Sequence, residues 1–381
     1  MSAERPIYLD YNATTPVDPA VVAAMRPYLE ADFGNPSSGH AYGQAASQAV
    51  AQARRQVAAL LGARPKEIIF TGGGSEADNL ALCGVAFSAR DRGRHIVTTA
   101  VEHPAVLETC RYLQRRHGFA VTVVPVDGTG LVDPAEVRRA LRGDTILVSV
   151  MHAQNEVGTL QPVAEVAAVA RERGIALHTD AAQSVGKVPV QVRGLGVDLL
   201  ALAGHKLYAP KGVGALYVRS GLTLEPLVHG AGHEGGRRAG TENVAGIVGL
   251  GQACALARQH LDGETVRLRR LRDELWRQLA EGIGGLRRHG HPERCLPNTL
   301  NVGVPGVPGD ELLARAPGIA AATGSACHAG RTEPSGVLLA MGLAPEEAWT
   351  AVRLSLGRFT TEQDVQRAAA ALVAAARAQR A

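Results

Sequence analysis

The sequence has few aromatic residues, little net charge and no long apolar run. Aromatic residues make up 4% of the 381 positions, so base-stacking platforms for single-stranded nucleic acid are scarce. The net charge is +4, and no dense Lys/Arg stripe occurs, so we expect no direct nucleic-acid binding. No apolar stretch reaches about 18 residues, which excludes an ordinary transmembrane helix.

Cysteine is also rare, with five widely spaced residues and no Cys-x-x-Cys pair. An odd number of dispersed cysteines does not indicate a disulfide framework. The first sixteen residues lack the charged-then-apolar pattern of a signal peptide, so we expect a cytosolic protein with free thiols. One of these thiols could then be a nucleophile.

Short apolar runs alternate with longer stretches of helical length over the first two-thirds of the chain. The predicted strands are 67–71, 95–99, 120–126, 145–150, 174–180, 196–203 and 212–218. The predicted helices between them are 76–90, 104–117, 134–141 and 162–173. This alternation predicts an α/β fold with a mostly parallel sheet, whose active site lies at the carboxyl ends of the strands.

The pattern changes near residue 255, where we expect a domain boundary. A long Arg- and Glu-rich helix is predicted at 256–283, and a stretch with four prolines follows it. The last predicted element is an amphipathic, Ala-rich helix at 362–380. The C-terminal part is therefore expected to form a separate, smaller unit.

A Gly-rich segment, Thr71-Gly-Gly-Gly-Ser-Glu-Ala-Asp-Asn79, lies between a predicted strand and a predicted helix. Free N–H groups at a helix start bind anions, and glycines let a phosphate approach the backbone. The segment matches neither the dinucleotide nor the P-loop motif. Alone, it fits a phosphate site and an ordinary tight turn equally well.

Two further motifs follow consecutive strands. Asp180 ends an apolar run, where an unpaired carboxylate is costly to bury, although it could also cap the next turn. Lys206 follows the next run, where a lowered pKa would suit a Schiff base, although most lysines are solvated. An anion cradle, an acid for a pyridinium nitrogen and a Schiff-base lysine together predict a pyridoxal phosphate (PLP) enzyme.

A fourth motif, Thr323-Gly-Ser-Ala-Cys-His-Ala-Gly330, places Cys327 among small, polar residues. Free cysteines are usually buried core residues. This segment has neither strand nor helix periodicity, which favours a reactive thiol on a loop.

Together these motifs closely resemble the cysteine desulfurases of the NifS/IscS type, PLP enzymes with the aspartate aminotransferase fold. The resemblance extends from Tyr8-Leu-Asp-Tyr-Asn-Ala-Thr-Thr-Pro16 to Arg353-Leu-Ser-Leu-Gly-Arg358. Other matching stretches are Gly34–Ser38, Val101–His103, Asn155–Gly158, Arg238–Asn243 and Pro297–Asn301. The resemblance implies a large PLP-binding domain at 16–254 and a smaller α+β domain made of 1–15 and 255–381.

The resemblance also implies a role for each matching residue. Lys206 would be the Schiff-base lysine, His103 would stack on the ring and shuttle protons, and Cys327 would accept sulfur as a persulfide. The residues implied to hold the cofactor are Gly74, Ser75, Asn155, Asp180, Gln183, His205 and, from the second subunit of a homodimer, Thr241. The residues implied to bind L-cysteine are Asn35, Asn155 and Arg353.

Two features depart from the family pattern. Ala203 stands where the family often has Ser, which removes one phosphate hydroxyl. The sequence ends at Ala381, whereas housekeeping members usually have a longer tail that docks an iron–sulfur scaffold. The implied sulfur acceptor is therefore an iron–sulfur scaffold or a component of DNA phosphorothioation, as in DndA-like members. Selenocysteine lyase activity and a non-catalytic PLP-fold subunit are the alternatives.

Overall fold

The computed structural model describes residues 5–323, 327–328, 331–332 and 334–380, with the backbone alone at 327–328, 331–332 and 379–380. Its strands are β1 (Ile7–Tyr8), β2 (Ile68–Thr71), β3 (His95–Thr99), β4 (Ala120–Val124), β5 (Thr145–Ser149), β6 (Ala176–Asp180), β7 (Leu199–Ala203), β8 (Gly214–Val218), β9 (Arg287–His289), β10 (Thr299–Gly303), β11 (Ile319–Ala320), β12 (Cys327–His328), β13 (Arg331–Thr332) and β14 (Ala351–Ser355). Each predicted strand is present.

The α-helices of the described residues alternate with these strands. They are α1 (Pro19–Met25), α2 (Pro27–Glu30), α3 (Ala41–Leu61), α4 (Gly74–Ser88), α5 (Pro104–His117), α6 (Pro134–Ala140), α7 (Val163–Arg171), α8 (Val192–Leu195), α9 (Val244–Gly282), α10 (Gly309–Ala314), α11 (Gly336–Ala340), α12 (Pro345–Ala348) and α13 (Glu362–Arg380). In this part of the chain, no helix has the length and apolarity of a membrane span.

The main sheet has seven strands in the order β2-β8-β7-β6-β5-β3-β4. All neighbouring pairs are parallel except the two that involve β8. Because β8 is antiparallel to both β2 and β7, β2 runs in the same direction as β7. The carboxyl ends of β2, β3, β5, β6 and β7 therefore lie at one edge of the sheet, where α/β enzymes place their sites.

Alternating side chains bury both faces of this sheet. Ile68 and Phe70 of β2 pack with the core that includes α3 and α7, whereas Ile69 packs on the opposite face with α4 and α5. The period of two in a strand produces this alternation. Helices cover both faces, so the expected α/β architecture with a mostly parallel sheet is confirmed.

A separate core lies under a three-stranded antiparallel sheet in the order β14-β10-β9. It includes Leu9 from the N-terminal segment, the second half of α9, and α13. The two-domain division at 254 stays a prediction, but the boundary falls inside one continuous helix. Residues up to Ala257 of α9 pack in the first core, and those from Leu268 pack in this one.

The predicted start of the long helix, residue 256, is wrong by twelve residues, because α9 begins at Val244. Glycines in its first turns weaken the helical pattern, since glycine has a low helix propensity. The close approach of α3 requires one of them, because a Cβ at Gly251 would lie 2.7 Å from the Cβ of Ala53. The turn-rich stretch likewise contains β10, which was not predicted.

Candidate active site

A cavity of about 230 Å³ opens at the carboxyl edge of the main sheet. Nine predicted site residues line it: Gly74, Ser75, His103, Asn155, Asp180, Gln183, His205, Lys206 and Arg353. Asn12, Ala13, Asp78, Met151, Ala182 and Ala203 complete the lining. A larger cavity of about 580 Å³ lies elsewhere, around Arg171 and Asp198, and contains none of the predicted residues.

The N-terminus of α4 forms one wall of this cavity. Its N-cap residue, Gly73, provides no side-chain cap for the first N–H groups of the helix, whose first residues, Gly74 and Ser75, line the cavity. A Cβ at Gly74 would lie 3.1 Å from the Cβ of Ala203, so glycine lets the helix start approach β7 closely. The positive end of the helix dipole and these N–H groups favour an anion such as a phosphate.

Asp180 lies at the end of β6 with little polar compensation. Its Oδ1 accepts the Ala182 N–H at 2.9 Å, and its side chain is buried. Burial raises the pKa of Asp180, and the Ala182 N–H, His103 and Lys206 only partly oppose this effect. A cation in the cavity would relieve the cost of burying the ionised carboxylate.

A second buried acid, Asp78, lies one helical turn into α4. Its carboxylate, the carboxylate of Asp180 and the His103 ring each contribute an atom to a group within 4.8 Å. Burial and the charge of Asp180 raise the pKa of Asp78, and burial lowers the pKa of His178 to about 3. The 3.4 Å contact between Asp78 and His178 therefore involves a neutral imidazole and is not an ion pair.

Lys206 ends a short 3-10 turn that follows β7. Its Nζ donates to the main-chain carbonyls of Asn12 at 2.5 Å and Ala13 at 2.7 Å. Burial and the charge of Arg353 lower the pKa of Lys206 to about 8, against a smaller opposing effect of Asp180. The amine is thus partly neutral near pH 7, as a nucleophile or base requires.

His103 is the N-cap of α5. Its Nδ1 accepts the Ala105 N–H at 3.1 Å, so a neutral ring holds its proton on Nε2. Burial lowers the pKa of His103, and Lys206 adds to this effect while Asp180 opposes it. Proton exchange between this ring and the cavity therefore takes place at Nε2.

Arg353, on β14, brings a buried guanidinium to the cavity. Its Nη2 pairs with Asp10 at 2.7 Å, and its Nη1 donates to the Asn155 carbonyl at 3.1 Å. Its Nε has no hydrogen-bond partner among the described residues. The two contacts fix the plane of a group whose fork geometry suits a carboxylate.

Gln183 and His205 complete the predicted lining. Gln183 donates from Nε2 to the Asn12 carbonyl at 2.9 Å. The Nδ1 of His205 lies 3.2 Å from the Thr14 hydroxyl, and burial lowers the pKa of this ring to about 4. Both side chains are therefore neutral hydrogen-bonding groups of the cavity.

Three predicted residues are not brought into this lining. Thr241 and Asn35 are exposed, and the Asn35 side chain accepts the Ser37 N–H at 2.9 Å. The side chain of Cys327 lies outside the described residues; its backbone pairs with Thr332 in the β12–β13 hairpin. The roles of these three residues stay predictions.

Sequence reasoning missed several polar residues of the site. Asn12 and Asp10 lie within the matched segment Tyr8–Pro16, and Asp78 lies within the Gly-rich motif, but no role was predicted for them. Their motifs were the available signal, since polar residues in buried segments are costly unless paired. Their partners are distant in sequence: Arg353 is 343 residues from Asp10.

The residues present fit PLP. The uncapped start of α4 suits its phosphate, the buried and under-paired Asp180 suits its pyridinium nitrogen, and the neutral fraction of Lys206 suits its aldehyde. The loss of a hydroxyl at Ala203 removes one donor, but the helix N–H groups remain. No other group of three or more His, Cys, Asp or Glu side chains in the described residues has metal-binding spacing.

The comparisons with known proteins agree with this site. The aminotransferase class-V family model matches residues 7–368. Two relatives named cysteine desulfurase IscS, from Dictyoglomus turgidum and Methanosarcina thermophila, are 47% and 48% identical to this chain. Each match covers 95% of this chain and at least 90% of the relative.

Solved structures are similar over nearly the same length. A NifS-like protein has a TM-score of 0.91 and 38% identity, covering 97% of this chain and 98% of its own. A structure described as SspA in complex with cysteine has a TM-score of 0.83 and 38% identity, covering 93% and 99%. DndA from Streptomyces lividans has a TM-score of 0.79 and 37% identity, covering 90% and 97%.

These matches confirm the expected aspartate aminotransferase-like fold and the resemblance stated from the motifs. The chain belongs to the aminotransferase class-V family, in which it groups with the cysteine desulfurases of the NifS/IscS type.

Proposed function

We propose that this protein is a PLP-dependent cysteine desulfurase. It converts L-cysteine to L-alanine and transfers the sulfur atom to the Cys327 thiol, which becomes a persulfide. One carbon–sulfur bond breaks and one sulfur–sulfur bond forms, so no external oxidant is needed. The observation that supports this reaction best is the meeting of Lys206, Asp180 and an anion cradle in one cavity.

Substrate binding is assigned to Arg353. Its guanidinium reaches the cavity and has the charge and the fork geometry to bind the amino-acid carboxylate. Asp10 and the Asn155 carbonyl each hold one Nη atom, so the group is oriented before substrate arrives. Orientation of this kind lowers the entropic cost of binding.

PLP, when bound, supplies an electron sink that weakens bonds at Cα of an amino acid. Asp180 keeps the proton on the ring nitrogen by charge pairing in a dry site. Lys206, with its lowered pKa, accepts the Cα proton at Nζ and donates it again. His103 exchanges a proton with the substrate thiol at Nε2.

Cys327 must be a thiolate when it attacks the substrate sulfur. An unperturbed thiol has a pKa of about 8.5, so a few per cent is ionised near pH 7. A persulfide on this residue then passes its outer sulfur to an acceptor protein. The acceptor is an iron–sulfur scaffold or a component of DNA sulfur modification, the two roles that the names of the relatives support.

The proposal includes a homodimer in the cytoplasm, in which Thr241 of one subunit reaches the phosphate of the other. Thr241 is exposed in the single chain, which is compatible with such a contact. The four cysteines whose side chains are described are free and buried, which suits a reducing compartment.

The test is anaerobic incubation of the pure protein with L-cysteine, with alanine assayed and the Cys327 peptide analysed by mass spectrometry. Wild type should release alanine and gain one sulfur atom on Cys327, whereas Cys327→Ser should keep bound PLP and release none. Cys110→Ser, which changes a buried thiol outside the cavity, is the matched control. Alanine release by Cys327→Ser at the wild-type rate contradicts the acceptor role, and turnover of L-selenocysteine alone indicates a selenocysteine lyase.

A further inference from the structure

The chain uses arginine for nearly all of its positive charge. It contains 36 arginines but four lysines: Lys66, Lys187, Lys206 and Lys211. Lys206 lines the cavity, and Lys187 contacts two residues that line it, Gln183 and Asn12, but has no role in the reaction proposed above. A lysine presents a compact amine, whereas an arginine would present a larger planar guanidinium.

Lys187 is buried, with 9% of its surface exposed. Its Nζ donates to Oε1 of Gln183 at 2.8 Å and to Oδ1 of Asn12 at 3.2 Å. No carboxylate forms an ion pair with it in the described part of the chain. Thr265 of α9 donates to its main-chain carbonyl at 2.9 Å, which fixes the backbone at this point.

These contacts determine how the Gln183 amide is oriented. Lys187 Nζ donates to the oxygen of this amide, and its ammonium form has no acceptor for the amide N–H. The amide nitrogen must then lie on the other side, where it donates to the Asn12 carbonyl at 2.9 Å. The two ends of a glutamine amide are otherwise nearly equivalent in shape, so this contact selects one of two orientations.

The same network reaches the amine of Lys206. The Asn12 carbonyl that accepts from Gln183 also accepts from Lys206 Nζ at 2.5 Å. The Asn12 side chain is held by Lys187 on its oxygen and by the Thr299 hydroxyl, 2.8 Å from its nitrogen. Lys187 thus contacts Asn12, one of the two residues whose carbonyls hold the Lys206 amine, and Gln183, which donates to the same Asn12 carbonyl.

The two acceptors match what an amine at this position can donate. Burial, with smaller effects of Lys206 and Arg353, holds the pKa of Lys187 well below its usual range. Both the ammonium and the amine have enough N–H donors for Gln183 and Asn12. An arginine in this position would introduce a permanent charge and a larger planar group.

We propose that Lys187 is a positioning residue for the cofactor site: it orients the Gln183 amide with its N–H toward the cavity and fixes the Asn12 segment that holds the Lys206 amine. The inference rests on the proposed function, and it takes Gln183, a cofactor-binding residue by resemblance to the family, as the residue that would donate to the ring hydroxyl oxygen of PLP. Without Lys187, only the Asn12 carbonyl selects this orientation of the amide, so its N–H is presented to that acceptor less often.

The test is a double-mutant cycle on PLP binding to the cofactor-free protein, with dissociation constants from absorbance titration. Lys187→Met should weaken PLP binding about tenfold, the size expected for one lost neutral hydrogen bond. Gln183→Leu should weaken it similarly, and the double variant should bind clearly more tightly than the product of the two losses predicts, because Lys187 acts in part through Gln183. Lys66→Met, an exposed lysine on another part of the surface, is the control and should bind as wild type.

A purely structural role of Lys187 predicts multiplicative losses in the double variant, and that result overturns the inference. If the Lys187→Met variant does not fold, the Lys187→Gln variant takes its place, since a glutamine keeps an N–H donor. PLP affinity of Lys187→Gln within about threefold of wild type supports the positioning role. A tenfold loss of PLP affinity overturns that role. Wild type that binds PLP but releases no alanine refutes the proposed function while leaving the cycle decisive for Lys187. Wild type that binds no PLP overturns both.

Discussion

The lowered pKa of Lys206 predicts unusual chemical reactivity in the cofactor-free protein. With a pKa of about 8, about a tenth of the Lys206 amine is neutral at pH 7. A lysine with the ordinary pKa of about 10.4 is neutral to about 0.04% at that pH. Acylating reagents react with the neutral amine. At pH 7, Lys206 should therefore react roughly 200-fold faster than an equally accessible lysine with the ordinary pKa.

The assay is competition labelling with trace acetic anhydride between pH 6 and 11, with each lysine peptide quantified by mass spectrometry. The chain suits it because it has four lysines, and fragment ions separate Lys206 from Lys211, which lie in one peptide between Arg193 and Arg219. The pH profile of Lys206 reports its pKa independently of access, since access scales the rate without moving the midpoint.

Two variants test the physical cause in opposite directions. Arg353→Leu removes a nearby cation and should move the Lys206 midpoint to higher pH, whereas Asp180→Asn removes an anion and should move it to lower pH. A wild-type midpoint near 10.4, or shifts of the same sign in both variants, would refute the electrostatic reasoning.

Two other predictions concern residues at the margins of the site. Burial raises the pKa of Glu156 to about 7, so the unfolded chain loses this proton at lower pH than the folded protein does, and stability falls as pH rises from about 4.5 to 7. Glu156→Gln should therefore raise the free energy of unfolding at pH 8 by up to about 3 kcal/mol and leave it nearly unchanged at pH 4. Urea titrations at the two pH values would measure both effects. An equal effect at both would contradict the raised pKa of Glu156. Thr241→Ala should speed PLP loss from the dimer, as dialysis and absorbance would show, and wild-type retention would count against a contact across the interface.

The parts of the fold that sequence reasoning found are those set by local pattern. Every predicted strand of the main sheet is present, because a buried strand requires a short apolar run and the turns that bound it. The parallel order then places strand ends together, which is why Asp180 and Lys206 were found at one edge before any contact was known.

The parts that it missed depend on contacts between distant segments. The glycines at the start of α9 indicate a loop locally, but they permit a helix to pack against α3. The Asp10–Arg353 pair joins the two ends of the chain, and Lys187 resembles a surface lysine until its burial is seen. No local pattern contains this information, since it is set by tertiary packing.

The N-terminal segment shows how the second core acts on the chemistry of the first. Asn12 donates from its main-chain N–H to Ser355 of β14 at 2.9 Å and from its side chain to Thr299 of β10 at 2.8 Å. Its carbonyl, two covalent bonds away from that side chain, holds the Lys206 amine. Asn12 therefore connects the three-stranded sheet, whose strand β14 carries Arg353, to the carbonyl that holds the Lys206 amine. The substrate-binding arginine and the reactive lysine are thus positioned by the same small antiparallel sheet.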